Sequence, residues 1–226
     1  MPGEMIRVKS RDGFEIDAYQ VKPAGQRTGG VIVIQEIFGL SAHIQNMAER
    51  FATEGYEAIA PSMFDRAERG FVVAPALSEK FLQRGVELAI GNGPENAMND
   101  IGGCLDELKQ GGGPVFVTGY CYGGAMSWLA SARLDGLSAA SCYYGGRIPE
   151  MAALPLKNPT ICHFGSQDTS IPMAKVEAVK AAQPDVPVYV YDADHAFARK
   201  GGLHYDAAAD KLAFERTIAL FGRWAK

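Results

Sequence analysis

The residue with the clearest chemical potential in this sequence is a cysteine between glycines. Cys121 lies in the segment GYCYGG (119–124), directly after the apolar run PVFVT (114–118). Where a strand turns abruptly into a helix, the two backbones approach so closely that the flanking residues must lack a Cβ atom. The first N–H groups of the helix point towards the sulfur, and their partial positive charge favours the thiolate over the thiol. The pattern predicts covalent catalysis through the sulfur of Cys121.

A thiolate nucleophile needs a general base, and the base needs a group that fixes its tautomer. His195 lies in a loop after the last predicted strand, and Asp168 lies in a polar turn after the strand before it. Nucleophile, acid and histidine follow one another in this order in α/β-hydrolases. We therefore predict His195 as the base and Asp168 as its acid. Asp192 and Asp194 remain alternatives for the acid, although their nearness to His195 makes the approach to Nδ1 harder.

A second carboxylate, Glu36, ends a predicted strand and begins a loop. In the same fold this loop gives one backbone N–H to the oxyanion hole, and the residue after the nucleophile gives the other. The donors here would be Ile37 and Tyr122. A carboxylate at a strand end is by itself most simply an exposed group. Its position beside the predicted oxyanion hole makes Glu36 a candidate catalytic residue.

The remaining histidines and cysteines have structural explanations. His163 lies within a predicted strand, whereas His43 and His204 adjoin predicted helices and are expected in solvent. Three further cysteines lie among apolar or small residues, so we expect buried, reduced packing groups: Cys104, Cys142 and Cys162.

Composition limits the classes of function. The 226 residues carry a net charge of -4 without a basic run, which argues against nucleic acid or an anionic membrane as the partner. No apolar run approaches the roughly 20 residues of a spanning helix, and the first residues do not resemble a signal peptide. The four cysteines lack metal-site spacing. We expect a cytoplasmic enzyme with a small-molecule substrate and without a metal or other cofactor.

Apolar β-runs alternate with helical patterns along the chain, which is typical of a mostly parallel sheet with helices on both faces. The predicted strands are an N-terminal hairpin at 6–8 and 14–21, then 31–34, 58–60, 114–118, 139–143, 160–164 and 188–191. The predicted helices are 41–53, capped by Ser41, then 77–90, 95–108, 122–133, one after Ser170 with Pro172 in its first turn, and 205–224. Without a repeat or linker, residues 1–226 are predicted to form one α/β domain.

Five segments together resemble the dienelactone hydrolase family. They occur in family order and with similar spacing across nearly the whole chain: QEIFG (35–39), GYCYGG (119–124), YYG (143–145), GSQD (165–168) and HAFAR (195–199). The resemblance implies an α/β-hydrolase fold and a triad of Cys121, His195 and Asp168. It also implies that Glu36 contacts the resting thiol and helps to deprotonate it once substrate binds. A thiolate that forms only on demand is protected from oxidation.

The resemblance further implies a substrate pocket. Arg199 matches the arginine with which the family grips a substrate carboxylate. Phe38 and Tyr144 lie in matching segments, and Arg66 resembles a family loop, so we predict that these residues also bind substrate. A second pocket arginine and a tyrosine of the family have no clear match, because residues 71–91 contain no tyrosine. The chemistry is therefore better supported than the substrate.

These residues predict hydrolysis of an activated ester or lactone on a small carboxylate-bearing compound, through an acyl-enzyme. A general carboxylesterase or thioesterase of the same fold is the alternative. Class I glutamine amidotransferases also carry a cysteine at a sharp turn from strand to helix, here called the elbow. They usually place a glutamate where this chain has Phe197. A redox-sensing thiol protein would need neither Asp168 nor His195 at these positions.

Overall fold

A computed structural model of the protein describes residues 2–73 and 79–224, and it contains one eight-stranded sheet. The strand order is β1-β2-β4-β3-β5-β6-β7-β8. Pairing is antiparallel between β1 and β2 and between β2 and β4, and parallel elsewhere. The strands are β1 Glu4–Lys9, β2 Glu15–Val21, β3 Gly29–Ile34, β4 Tyr56–Pro61, β5 Val115–Tyr120, β6 Ala139–Tyr143, β7 Thr160–Gly165 and β8 Val188–Tyr191. The predicted sheet and N-terminal hairpin are confirmed.

Six helices surround the sheet in the described ranges. They are α1 Ala42–Thr53, α2 Glu79–Gln110, α3 Tyr122–Arg133, α4 Ile148–Met151, α5 Met173–Ala182 and α6 Ala207–Phe221. A kink at Gly93, with a φ of 66°, divides α2 just before Pro94. Proline cannot continue a helix without losing a hydrogen bond, so the two predicted helices are present on either side of the kink. The predicted start at Leu77 lies outside the described residues, and the short α4 was not predicted.

Local capping moves two of the predicted helix starts. The side chain of Asp206 accepts a hydrogen bond from the Ala209 N–H at 2.8 Å, so α6 begins at Ala207 rather than at Tyr205. Pro172 occupies the position before α5 instead of its first turn. Ser41 does precede α1, but its side chain makes no capping hydrogen bond.

The central strands lie wholly within the core. Every residue of β3 and of β5 is buried, as the continuous β-branched run in β3 predicts for a strand covered on both faces. The rings of Phe116 in β5 and Phe221 in α6 stack at 4.4 Å, and Phe51 in α1 packs on Phe214 at 5.1 Å. Cys104, Cys142 and Cys162 are buried free thiols, as predicted.

Two of the histidines are buried, and one of them was predicted in solvent. His163 is enclosed in the sheet, where its Nδ1 lies 2.8 Å from the hydroxyl of Tyr191. His43 is only 8% exposed, and its ring packs edge-on against Tyr120 at 5.3 Å, so its predicted solvation is wrong. Burial lowers the pKa of each imidazole to about 3. Both rings are therefore neutral at physiological pH.

Across residues 2–73 and 79–224, no helix combines the length and apolar character needed to cross a membrane.

Candidate active site

The chain reverses sharply at Cys121, between the end of β5 and the start of α3. Cys121 has a φ of 54° and a ψ of -110°, a conformation that is strained for a residue with a side chain. A Cβ atom on Gly119 would overlap the backbone of Gly123, and one on Gly123 would overlap the carbonyl oxygens of Ile34 and Gln35. The thiol of Cys121 is partly exposed, unlike the three buried cysteines. The turn therefore presents the sulfur at the surface of a site.

Asp168 holds the imidazole of His195. Its Oδ2 lies 2.7 Å from Nδ1 of His195, and its Oδ1 accepts hydrogen bonds from the N–H groups of Ser170 and Ile171 at 2.8 and 3.0 Å. Burial alone would raise the pKa of Asp168, but the bond to His195 and the two backbone N–H groups outweigh it and lower that pKa. The carboxylate is thus ionised where it orients the ring.

The two alternative acids are engaged elsewhere. Asp194 accepts a hydrogen bond from the backbone N–H of His195 at 2.6 Å, and its other oxygen lies 2.9 Å from the ring of His204. Asp192 accepts a hydrogen bond from Gln167 at 2.8 Å. Neither bonds the imidazole of His195, so the geometry distinguishes Asp168 from both.

The environment of His195 favours its protonated form. Burial lowers the pKa of the imidazole, but the hydrogen bond to Asp168 and the adjacent Cys121 sulfur raise it to about 10. The ring of Tyr144 packs against the imidazole at 5.2 Å and against Phe197 at the same distance. Tyr144 is fully buried, so its ring packs beside His195 without access to solvent.

The predicted oxyanion donors are the backbone N–H groups of Tyr122 and Ile37, which follow the ends of two neighbouring strands. Tyr122 is the first residue of α3, and an N–H at that position has no acceptor within its helix. Ile37 follows the end of β3, which pairs in parallel with β5 in the register Ile34 to Gly119. The two loops therefore leave neighbouring strands at the same edge of the sheet. Within the described part of the chain, neither N–H donates a hydrogen bond.

Glu36 is buried and lies beside Arg199. It is 1% exposed, and its Oε2 lies 3.6 Å from Nε of Arg199, whose guanidinium stacks over Phe38 at 4.3 Å. Burial raises the pKa of Glu36 against the opposing charge of Arg199. Among the described residues, no hydrogen bond joins Glu36 to Cys121, and the contact with the resting thiol that the resemblance implies stays a prediction. The carboxylate instead faces the arginine.

Arg66 was predicted to bind substrate, but its guanidinium pairs with two carboxylates of the protein itself. Its Nε and Nη2 donate to Asp100, with a shortest distance of 2.7 Å, and Nη1 lies 2.8 Å from Asp12. The guanidinium also lies over the ring of Phe14 at 4.7 Å. These contacts connect the N-terminal hairpin to α2. They engage all three guanidinium nitrogens in a structural role, so they do not support the assignment of Arg66 to substrate binding.

Sequence reasoning missed Tyr120 and His43 as neighbours of the site. The ring centroid of Tyr120 lies 6.2 Å from that of Tyr144, and the hydroxyls of both residues are buried without a hydrogen-bond partner in the described ranges. Nε2 of His43 is also buried and unpartnered there, and Arg199 helps to lower the pKa of that ring. The signal for Tyr120 was its place in the elbow segment. His43 carried no such signal.

No group of three or more His, Cys, Asp or Glu side chains is arranged to hold a metal ion within 2–73 and 79–224.

The chain is similar to proteins of one enzyme family along almost its entire length. Residues 16–225 match the family model described as the dienelactone hydrolase family. A Pseudomonas putida protein named carboxymethylenebutenolidase is 29% identical over an alignment that covers 95% of this chain and 94% of the relative. A Yersinia pestis protein named "Putative carboxymethylenebutenolidase" is 32% identical, with 92% of this chain and 84% of the relative covered. The crystal structure of a "Putative Dienelactone Hydrolase" from Klebsiella pneumoniae superposes with a TM-score of 0.85 at 28% identity, covering 98% of each chain.

Proposed function

The chain belongs to the dienelactone hydrolase family and is a hydrolase of the carboxymethylenebutenolidase type, and we propose that it cleaves an activated ester or lactone of a small carboxylate-bearing compound through an acyl-enzyme on Cys121. One observation carries this proposal. A partly exposed sulfur lies at a strained turn beside His195, and Nδ1 of that imidazole lies 2.7 Å from a buried carboxylate. That combination supplies a nucleophile, a base and an orienting acid.

The sulfur of Cys121 attacks as a thiolate once it has lost its proton, and the imidazole of His195 beside it carries a proton because its pKa is raised to about 10. The sulfur attacks the carbonyl carbon, and the electron pair moves to the carbonyl oxygen, where the N–H groups of Ile37 and Tyr122 stabilise it. The carbon–oxygen bond to the leaving group then breaks. A resonance-stabilised enolate needs little protonation in order to leave, and once the bond has broken it takes the proton of His195, which leaves that imidazole neutral.

Hydrolysis of the acyl-enzyme uses the neutral imidazole. His195 accepts a proton from water, whose oxygen attacks the thioester carbonyl, and the Cys121 thiolate is expelled as the carboxylic acid forms. Unactivated amides are expected to be poor substrates. From their tetrahedral intermediate the sulfur leaves more readily than the amine.

Substrate orientation falls to Arg199 in this proposal. A substrate carboxylate would meet a guanidinium that already faces Glu36 across 3.6 Å and has further N–H donors available. If the substrate carboxylate pairs with Arg199, Glu36 no longer has this guanidinium as its partner. Glu36 is then the group that can accept a proton from the thiol of Cys121. This step supports the predicted catalytic role of Glu36 without a contact between the carboxylate and the resting sulfur.

The nucleophile is tested by the variant Cys121→Ala, with Cys104→Ala as the matched control at a buried cysteine. We expect the turnover of an activated aryl ester to fall by about 10⁴-fold or more in the first variant, because the covalent route is gone. Circular dichroism should remain that of wild type. The control should keep its turnover. Near-wild-type hydrolysis by Cys121→Ala would refute the covalent mechanism.

A general carboxylesterase or thioesterase is the second candidate, and one observation favours it. The first half of α2 exposes large apolar side chains rather than the polar pocket residues of the family, namely Phe81, Val86 and Ile90. A panel of esters and lactones, each with and without a carboxylate, separates the two functions. Preference for the carboxylate-bearing member of each pair supports the main proposal, and preference for the neutral member supports the alternative.

A further inference from the structure

The first half of α2, residues 79–92, contacts both loops that supply the proposed oxyanion donors. It lies outside the sheet and contains none of the proposed catalytic residues. The kink at Gly93 separates it from the second half of the helix, so its direction is set independently. Its contacts with Ile37 and Tyr122 are therefore not a consequence of the sheet or of the second half of α2.

The first contact is made by Gly85, in the middle of this half-helix. Gly85 is buried, and a Cβ atom built on it would overlap the carbonyl oxygen of Ile37. Glycine is unfavourable in a helix interior because it costs more backbone entropy than alanine does. A glycine at such a position indicates a packing requirement. The requirement here is direct contact between the helix and the backbone of Ile37.

The next two residues of the same loop are fixed by the segment that precedes α2. The N–H of Val73 donates to the carbonyl of Phe38 at 3.0 Å. Gly39, with a φ of 76°, forms an antiparallel bridge with Val72. Three consecutive residues, 37–39, are thus positioned by backbone contacts from outside the sheet. The Ile37 carbonyl belongs to the peptide unit after the one that carries the Ile37 N–H, so a shift of the carbonyl reaches that N–H through the two backbone dihedral angles of Ile37.

The second contact is made by Asn92, at the end of the half-helix. Asn92 is 3% exposed, and its Nδ2 donates to the hydroxyl of Tyr122 at 3.5 Å. The ring of Tyr122 also packs on Phe64, with centroids 5.5 Å apart. Asn92 and Phe64 therefore hold the side chain of the residue that supplies the second N–H donor.

We propose that Gly85 and Asn92 are positioning residues for the oxyanion hole. Gly85 sets the backbone of Ile37, and Asn92 sets the orientation of Tyr122. The half-helix 79–92 thereby fixes the distance between the two donors while touching neither the sulfur nor the base. This proposal rests on the proposed function, because it takes Ile37 and Tyr122 as the oxyanion donors.

The test compares Gly85→Ala with Gly91→Ala, which lies in the same half-helix. A Cβ atom on Gly91 would meet nothing within 4 Å, so this variant controls for the change in helix propensity. We expect kcat of Gly85→Ala for an activated aryl ester to fall by about 10- to 100-fold with little change in KM, because misplaced donors weaken transition-state stabilisation. The Gly91→Ala variant should keep wild-type kcat.

Alkylation of Cys121 by iodoacetamide provides a readout that does not use the oxyanion hole. The sulfur displaces iodide at a saturated carbon, so no oxyanion forms, and Gly85→Ala should react at the wild-type rate. Wild-type kcat in Gly85→Ala overturns the proposal, and so does an equal loss of hydrolysis and alkylation. If Gly85→Ala does not fold, Asn92→Ala decides by the same two measurements. Hydrolysis that survives in Cys121→Ala would instead refute the proposed function.

Discussion

At the scale of single residues, Glu36 and Arg199 face each other in one site, with Glu36 buried and Arg199 partly exposed. Each is the charged partner of the other at 3.6 Å, and burial raises the pKa of Glu36 while the guanidinium opposes that effect. Removal of one partner from a buried pair leaves an uncompensated charge. A change at Arg199 therefore has two consequences, one for substrate binding and one for the ionisation of Glu36.

Arg199→Ala is expected to raise KM for carboxylate-bearing esters by about 10- to 100-fold, because substrate binding loses a charge-assisted hydrogen bond. KM for neutral esters should change much less. Steady-state kinetics on matched ester pairs measures the difference. The double variant Arg199→Ala/Glu36→Gln removes the unpaired buried carboxylate and should keep the same discrimination. Equal changes in KM for charged and neutral esters would remove Arg199 from the substrate site.

Asp168→Asn is expected to lower the pKa of His195 from about 10, since one of the two groups that raise it is gone, while burial, which lowers it, and the adjacent Cys121 remain. Turnover should fall by about 10³- to 10⁴-fold, because an amide can hold the wrong tautomer. Titration of the imidazole by NMR measures the shift. Asp192→Asn is the control, since that carboxylate bonds Gln167. A pKa that moves only in an Asp194→Asn variant would assign the role of the acid to that residue.

At the scale of elements, the elbow requires a residue without a Cβ atom at position 123, because the backbone of β3 lies directly against Gly123. The carbonyl oxygens of Ile34 and Gln35 occupy the volume into which a Cβ atom would project. Backbone atoms cannot move aside without disturbing the junction of β3 and α3. The cost should therefore appear in folding stability as well as in catalysis.

Gly123→Ala should lower the free energy of unfolding by about 3 kcal/mol or prevent folding, the range of severe local strain. Gly25→Ala is the matched control, because a Cβ atom there meets nothing within 4 Å. Its effect should stay within about 0.5 kcal/mol. Chemical denaturation of the two variants measures both values. Similar stability of the two variants would show that the elbow tolerates a side chain.

The sheet was predictable because its signals are local. Continuous β-branched residues mark β3, and the glycines around Cys121 mark the turn after β5. The features that the sequence did not predict depend on contacts between segments that lie far apart in the chain. Arg66 was assigned to substrate binding from its resemblance to a family loop, whereas its carboxylate partners lie in the N-terminal turn and in α2, far away in the sequence.

Burial was the least predictable property of the site. His43 directly precedes the apolar Ile44 in α1, but its enclosure depends on Tyr120, which comes much later in the chain. The pairing of Glu36 with Arg199 likewise joins the loops after β3 and β8. Family order fixed which residues meet at the edge of the sheet. It did not fix which polar atoms lose contact with water.

At the scale of the whole molecule, three histidines make the free energy of unfolding depend on pH, one of them on the alkaline side and two on the acid side. His195 has a folded pKa of about 10, above its unfolded value, so its contribution is complete below about pH 6.5 and is lost as pH rises through 10. His43 and His163 have folded pKa values of about 3, so their contribution is complete above about pH 6.5 and is lost as pH falls. The linkage of these three groups therefore predicts greatest stability near about pH 6.5.

His43→Phe isolates one of these contributions. Phenylalanine keeps an aromatic ring against Tyr120 and removes both the titrating group and the unpartnered Nε2. Protonation of unfolded wild type below pH 6.5 draws the wild-type protein towards unfolding, and the variant lacks this effect. Urea denaturation should therefore show the variant gaining about 2 kcal/mol over wild type between pH 8 and pH 5, from 1.5 pH units at about 1.4 kcal/mol each. An identical difference at both pH values would mean that His43 titrates normally in the folded protein, and that water reaches its ring.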